Sequence, residues 1–379
     1  MKLKNVFKKI YLLLIFFLVT GFHSSGQTYV ESTFLYPQEY NKKGDLSIEN
    51  KLIEKILAAA RYAKKTKEKD VNLYLSFFRY EARKGLLNAL LNAQESGVNL
   101  NIIFGDKNKN MIQVVRKKLA NKKRVRFITC NQGCLGTNIN HNKFLLINKG
   151  VSLKGEFQNH IVAVTSYNFD NRQPHNFNDM SIVYNNSELY HNFVAYWELL
   201  WLAKKKDRKI KVTEEQMSII SSQYQVHYSP RKKSDPVIKL LKNIDCSDQT
   251  GVIHIAHSRW DRGRRDILKK LRKMQKRGCS VHIIANSTDN LLEDDETLIN
   301  VHLKESVHNK FILIDAVVNG ERQKVSLIGS HNLTANSLYY NDDTLLVLKD
   351  RQLYESYLNY WEYLLKAPII DKSKLKPSR

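Results

Sequence analysis

The strongest constraint on the fold is a repeat. Leu189-Tyr190 and Tyr196-Trp197-Glu198 recur 164 residues later as Leu353-Tyr354 and Tyr360-Trp361-Glu362. That period exceeds any solenoid unit, so the chain must hold two like halves rather than a stack of small repeats. In the first half a strand-like 33–37 leads into a helix predicted over 48–63, where apolar residues fall at helical spacing. The second half offers 226–230 and then 236–244. Next come strand-like 71–81 and 252–261, which align Arg79 with Arg259. Each is followed by a helix (85–96 and 264–277), a glycine and another apolar strand (99–104 and 280–285). Strand, helix and strand in that order imply βαβ units. The expected class is α/β: two pseudo-symmetric halves, each a mixed, largely parallel sheet flanked by helices. The expected boundaries are 28–212 and 213–379, with a basic connector opening at Lys204-Lys205-Lys206-Asp207-Arg208-Lys209.

The chain has 379 residues, 42% of them hydrophobic, which excludes a disordered polybasic tail. Its 61 Lys plus Arg against 37 Asp plus Glu give a net charge of +24, which calls for a polyanionic partner: nucleic acid, an anionic membrane or a phosphate-bearing substrate. Lys2, Lys4, Lys8 and Lys9 precede an apolar run over 10–20 that ends in small and polar residues. This is the layout of a signal peptide, assigned to 1–26, and the run is short for a transmembrane span of about 20 residues. A secreted or periplasmic protein is expected. Cleavage removes four lysines and leaves +20, so the basic character belongs to the folded part. Export makes Cys130–Cys134 and Cys246–Cys279 candidate disulfides, with unpaired small residues as the alternative. A zinc site from Cys130, Cys134 and His141 has only three ligands in view.

The chemistry lies in polar residues kept at strand ends in both halves. His141 and Lys143 stand two apart before an apolar strand, as do His308 and Lys310. Strand period two points each pair to one face. A further strand ends in Ser166-Tyr167-Asn168 in one half and Ser330-His331-Asn332 in the other. An acid follows 13 residues after each serine, Asp179 and Asp343. A phosphodiester repels nucleophiles, and its transition state spreads negative charge over equatorial oxygens. Lys143, Lys310, Asn168 and Asn332 suit preorganised stabilisation of that charge. One imidazole can attack phosphorus while the other, protonated, serves the leaving oxygen. Asp179 and Asp343 are suited to hold the ring nitrogens that face away from phosphorus, and Ser166 and Ser330 to add hydroxyl hydrogen bonds at the acids and substrate.

These are the defining motifs of the phospholipase D superfamily, which the sequence resembles over almost all of 30–365. The second half fits best, with His308, Lys310, Asp315, Gly329, Ser330 and Asn332. The first half departs at Asn148, where the family has the Asp, and at Thr165, where the second half has Gly329. The Asp supports the fold in the family, so Asn148 bears on local stability first. The Cys130–His141 stretch also resembles secreted bacterial members. The resemblance implies one site where the halves meet, no metal and no cofactor, with His141 as nucleophile and His308 as acid.

The motif set defines the bond and leaves the substrate open. A secreted phospholipase D is favoured by export and by apolar rim loops at 135–139 and Leu291-Leu292. A secreted nuclease is favoured by the charge and by basic runs at 116–118, 122–124, 231–233 and 262–270, and opposed by the acidic run 293–296. A noncatalytic binder of anionic surfaces is the third reading. Two motifs on one chain remove the need for a dimer, and a monomer is expected. His254, His257 and His282 have no matched partner and are expected to be ordinary strand residues.

Overall fold

The computed structural model describes residues 27–367 apart from 38–43, 82–83, 106–108, 131, 208–209, 290 and 292–300. The expected signal segment, Leu292 and the acidic run 293–296 lie outside the described residues.

The first sheet holds β1 (Tyr29–Phe34), β2 (Asn72–Phe77), β3 (Asn99–Gly105), β4 (Val125–Cys130), β5 (Lys143–Val151), β6 (Phe157–Thr165) and β7 (Asp179–Tyr184), in the order β1-β7-β6-β5-β2-β3-β4. The second holds β8 (Ser218–Ile220), β9 (Tyr224–Ser229), β10 (Ile244–Asp245), β11 (Val252–Arg259), β12 (Ser280–Ser287), β13 (Val301–Leu303), β14 (Lys310–Val318), β15 (Glu321–Gly329) and β16 (Asp343–Leu348). Its order is β13-β12-β11-β14-β15-β16-β9-β8, with β10 on β14. Both sheets are mixed and helix-flanked. The parallel share is smaller than the βαβ pattern suggests: only β2-β3-β4 and β11-β12-β13 pair in parallel among the described strands. The middle of each sheet is a hairpin instead. Asn319-Gly320, at φ 53 and 84, makes the two-residue turn from β14 to β15, and 152–156 turns β5 into β6.

The helices are α1 (Ser47–Thr66), α2 (Lys84–Glu95), α3 (Lys109–Leu119), α4 (Ser187–Lys205), α5 (Pro236–Lys242), α6 (Arg265–Gln275), α7 (Ala335–Tyr339) and α8 (Arg351–Lys366). Their apolar faces define three cores. One packs α1–α3 on the outer face of the first sheet, and one packs α5 and α6 on the outer face of the second. The third lies between the sheets and contains α4 and α8. Alternation along the central strands feeds two cores at once. Phe144 and Leu146 face the middle core while Leu145 and Ile147 face the first; Phe311 and Leu313 do the same opposite Ile312 and Ile314.

The repeated helices α4 and α8 carry matched caps. Asn186 accepts from Leu189 N at 2.9 Å and Asp350 from Leu353 N at 2.7 Å. Their tryptophans tie equivalent strands, Trp197 Nε1 to Leu75 O at 3.2 Å and Trp361 Nε1 to Ile255 O at 3.1 Å. The tyrosines of the repeat are core residues too, since Tyr196 and Tyr360 are almost fully buried.

Candidate active site at the junction of the halves

β5 and β14 begin on Lys143 and Lys310, so His141 and His308 stand just ahead of the strands, where each chain segment meets the other half. Backbone bonds make the junction. His141 N donates to Asp342 O at 2.8 Å and Asp342 N to Ile139 O at 2.9 Å; His308 N donates to Phe177 O and Phe177 N to Ser306 O, both at 2.9 Å. Each histidine is thereby fixed to the segment that opens β16 or β7 of the opposite half.

The lysines are held by the carbonyls of their own histidines, Lys143 Nζ to His141 O at 2.8 Å and Lys310 Nζ to His308 O at 2.7 Å. Burial, and then the charge of Lys310, push the Lys143 ammonium well below its ordinary range. Burial also brings Lys310 down to about 7, against the pull of Asp179 and Asp343. Two desolvated ammonium groups that act on each other across the junction favour an arriving anion.

The two histidines are not equivalent. His141 Nδ1 lies 2.8 Å from Asp343 Oδ1, which also accepts from Ser330 Oγ at 2.6 Å. Burial lowers the imidazole to about 4 against the pull of Asp343. Burial lifts Asp343 in turn, but the charge and hydrogen bond of His141 outweigh it and hold the carboxyl at about 2. At neutral pH the pair is a carboxylate and a neutral ring whose Nδ1–H faces Asp343, leaving the Nε2 lone pair free.

The spacing predicts the same partnership between Asp179 and His308, and here the structure differs. His308 Nδ1 faces Asn178 Oδ1 at 2.9 Å. Asp179 instead accepts from Asn309 Nδ2 at 2.8 Å, Ser166 Oγ at 3.1 Å and Tyr357 OH at 3.2 Å. The cause is a one-residue offset in the strands: Thr165 pairs with Met180, whereas Gly329 pairs with Leu345. Asn178 therefore occupies the place of Asp343, and Asp179 that of Thr344. The second position matches as well, because Thr344 Oγ1 donates to Asn142 Oδ1 at 2.7 Å where Asn309 donates to Asp179. Burial, first of all, lowers the His308 imidazole, and the charges of Lys310 and Lys143 add to it.

Ser166 and Ser330 are fully buried, and their hydroxyls hold Asp179, Asn178 and Asp343. These bonds hold the histidine partners in place. Asn168 and Asn332 lie close by with side-chain oxygens that have no hydrogen-bond partner. Arg79, on the segment after β2, reaches the site electrostatically: its charge acts on Lys143 and on His308, and it stands 3.8 Å from Asp170. Its counterpart Arg259 is exposed.

Cys130 is joined to Cys134 and Cys246 to Cys279. The first bridge consumes both thiols, and His141 is committed to Asp343, so these three do not form a zinc ligand set. The same bridge closes a loop whose backbone N–H groups converge on Asp342: Cys134, Leu135 at 3.2 Å and Gly136 at 2.6 Å. Full burial still raises that carboxyl to about 7. Residues 135–139, expected at the rim, dock on the second half, with Thr137 N and Asn138 N donating to Tyr340 O. Gly136 is required there because a Cβ would overlap the same carbonyl.

The two departures of the first half are satisfied locally. Asn148 Oδ1 accepts from Asn72 N at 2.7 Å and its amide donates to Asp70 O at 2.6 Å, so it ties β5 to the start of β2 without a charge. Asp315, its counterpart, pairs with Arg322. Thr165 Oγ1 donates to Asp179 O at 2.7 Å, whereas Gly329 sits at φ 142 with Thr344 O where a Cβ would be.

Comparison with known families places this arrangement. The model of the family described as cardiolipin synthase, PLD-like domain, matches residues 60–201 and 240–365. The chain belongs to the phospholipase D superfamily. No curated protein matches it in sequence. Among solved structures, polyphosphate kinase from Porphyromonas gingivalis is similar with a TM-score of 0.58 at 17% identity over 93% of this chain and 53% of the kinase, so the chain spans about half of that protein. Phosphatidylserine synthase from Haemophilus influenzae Rd KW20 is similar with a TM-score of 0.53 at 11% identity, covering 88% of this chain and 86% of the synthase. At these identities the likeness is one of fold: a two-half α/β superfamily architecture, in a superfamily whose members act on phosphodiesters.

Proposed function

We propose that the protein is a secreted phospholipase D that hydrolyses the head-group phosphodiester of phospholipids through a phosphohistidine. The observation that carries this reading is the pair of His–Lys units meeting across the junction with one of the two rings backed by a carboxylate. In the first step His141 Nε2 attacks phosphorus, the bond to the head-group oxygen breaks, and His308, which the charge of the bound phosphate keeps protonated against its burial, gives that oxygen its proton. In the second step water attacks phosphorus, His308 takes the water proton, and the P–N bond returns its electron pair to His141. Asp343 offsets the positive charge that builds on the ring as Nε2 bonds to phosphorus, through the Nδ1–H that it already holds. His308 must gain and lose a proton once each per turnover, and a neutral amide partner leaves it free to do so. Lys143, Lys310, Asn168 and Asn332 stabilise the equatorial oxygens.

The lipid reading is supported by the lipid synthase named in the matched family and by the export segment of the sequence. A nuclease reading is favoured by the exposed basic last turn of α3, Arg116-Lys117-Lys118. Incubation with phosphatidylcholine vesicles and, separately, with single- and double-stranded DNA, all in EDTA, decides between them. Choline release without DNA cleavage is expected. DNA cleavage without choline release overturns the substrate assignment, and inhibition by EDTA overturns the histidine mechanism.

A further inference from the structure

A second basic site lies outside the catalytic junction. A cavity of about 390 Å³ opens between α5 and the start of α6, lined by Lys233, Lys239, Lys242, Arg264 and Tyr339 and by two acids, Asp235 and Asp266, the second of which pairs with Lys269 at 3.1 Å. Asp235 is already spent: it caps α5 by accepting from Val237 N at 2.9 Å, and it pairs with Arg264, whose Nε and Nη2 lie 2.7 and 2.8 Å from its oxygens. The three lysines are exposed and enter no ion pair among the described residues. Arg264 is 2% exposed, and its Nη1 has no hydrogen-bond partner. A buried guanidinium donor left unsatisfied beside three unpaired ammonium groups is costly unless an anion completes the set.

The positive charge continues beyond the cavity along α6. Lys270 is lowered first by burial and then by Arg277, Lys242 and Lys273, so these side chains form one face of like charge. The cavity mouth at the starts of α5 and α6 lies toward the end of the second sheet that carries the histidines, and the α6 face runs from there toward the opposite end, where Arg277 leads into β12 beside Val252. Trp260, just ahead of Arg264, bridges to Leu333, the residue after Asn332, and Asp261 accepts from Ala335 N at 3.1 Å. Arg264 also acts electrostatically on His257 and His331, which stand behind Lys310 and Asp343. Tyr339 and Tyr340, 40% and 49% exposed, flank the lysines at this end.

We propose that this cavity and the adjoining face of α6 dock the protein on an anionic bilayer, with a lipid phosphate seated against Arg264 and the three lysines. The proposal rests on the phospholipase reading in one respect: a lipid-cleaving enzyme meets its substrate in a bilayer, and lysines beside exposed tyrosines are the side chains that partition to that interface. The cavity, on the same end as the site, would hold the junction near the head groups, and the α6 face would extend the contact along the outer side of the second half.

The test compares co-sedimentation with phosphatidylcholine vesicles lacking or containing phosphatidylglycerol. The partners are the full chain and the triple variant Lys233→Gln/Lys239→Gln/Lys242→Gln, with a thermal melt of each to establish folding. Each lysine near an anionic surface contributes about fivefold in partitioning (~1 kcal/mol), so the folded triple variant should lose about a hundredfold, and salt should weaken the wild type. Equal partitioning of variant and wild type overturns the proposal, as does equal wild-type binding to both vesicle types. Preferential capture by double-stranded DNA in competition with the vesicles overturns it in favour of a nucleic-acid track. Turnover of bis(4-nitrophenyl) phosphate by the wild type, measured in parallel, reads the catalytic reading separately: no turnover with vesicle binding intact refutes the enzyme and leaves the docking surface standing.

Discussion

Replacing Asp343 by Asn tests the division of labour between the histidines. The variant keeps an oxygen for Nδ1–H, and the protein itself shows that an Asn oxygen can fill this role, since Asn178 faces His308 at 2.9 Å. The ring should therefore keep its orientation and tautomer, and the loss should be that of a charge-assisted hydrogen bond, about 1.5–3 kcal/mol. That corresponds to roughly a 10- to 150-fold fall in kcat/KM, well short of the roughly ten-thousandfold loss that follows when a histidine is held in the wrong tautomer. A side cost is expected at Asn341, whose amide donates to Asp343 Oδ2 at 3.3 Å, and a melt measures it independently. The pH profile carries the assignment. Removing the carboxylate lowers the proton affinity of His141, which already stands at about 4. A nucleophile must be deprotonated, so its titration sets the acidic limb, and that limb should move to lower pH while the alkaline limb stays. The assay is kcat/KM for a soluble phosphodiester from pH 3.5 to pH 9. A downward shift of the alkaline limb instead would make His141 the acid. An unchanged rate with both limbs unmoved would refute any action of Asp343 on the ring.

Further outcomes follow from the buried charges. Lys143→Met and Lys310→Met should each lower kcat by about 10²–10³-fold, because each removes a preorganised charge from the transition state. Neither should lower the thermal midpoint, since both ammonium groups are desolvated in the fold and a methionine is easier to bury. Acid should destabilise the protein well above the carboxylate range. Burial lowers His141 and His254 to about 4 and His227 and His331 to about 3, all below the ordinary 6.5. The unfolded chain then binds more protons than the folded one from pH 6.5 downwards, so this stability is complete above 6.5 and is lost as pH falls through 4 to 3. The urea midpoint should be lower at pH 4.5 than at pH 7, and a flat profile would contradict the burial of these rings.

The repeat made most of the fold legible, because matching caps, tryptophans and His–Lys pairs all keep one interval. The same constancy hid the true partner of His308. The interval is 164 residues at Ser166 and Ser330 and again at the caps Asn186 and Asp350, yet the strand register between them differs by one. One residue is missing before β7 and one is added after it, at Asn185, which takes φ 59. Compensating shifts of this kind leave no trace in a constant spacing. They can be found from core alternation: Met180 and Ile182 face an outer core as Leu345 and Val347 do, which aligns Met180 with Leu345 rather than with Thr344. The docking of 135–139 on the second half was hidden for another reason: part of it runs to the backbone of Tyr340 and Asp342, which needs no particular side chain, and the rest brings backbone N–H groups to the Asp342 carboxylate, an acceptor that no spacing in the sequence links to a loop some 206 residues away. The hairpin at Asn319-Gly320, by contrast, was in plain view and argues against a largely parallel sheet.

A duplicated site begins with a degeneracy, because two identical histidines facing one phosphate can exchange the roles of nucleophile and acid. Asn178 removes that degeneracy, and the surrounding structure prevents a return to the acid. Its amide donates to Gln173 O at 3.2 Å and Asn176 O at 3.1 Å while its oxygen serves His308. A carboxylate at this position would set negative charge against both carbonyl oxygens and beside Asp179, which burial already raises. Asp343 meets no such carbonyls among the described residues: its oxygens accept from Ser330, Asn341 and His141. The donors around one partner position favour a carboxylate and the acceptors around the other favour an amide. The difference between the two histidines is thus set by the segments that surround their partners, one step removed from the rings themselves.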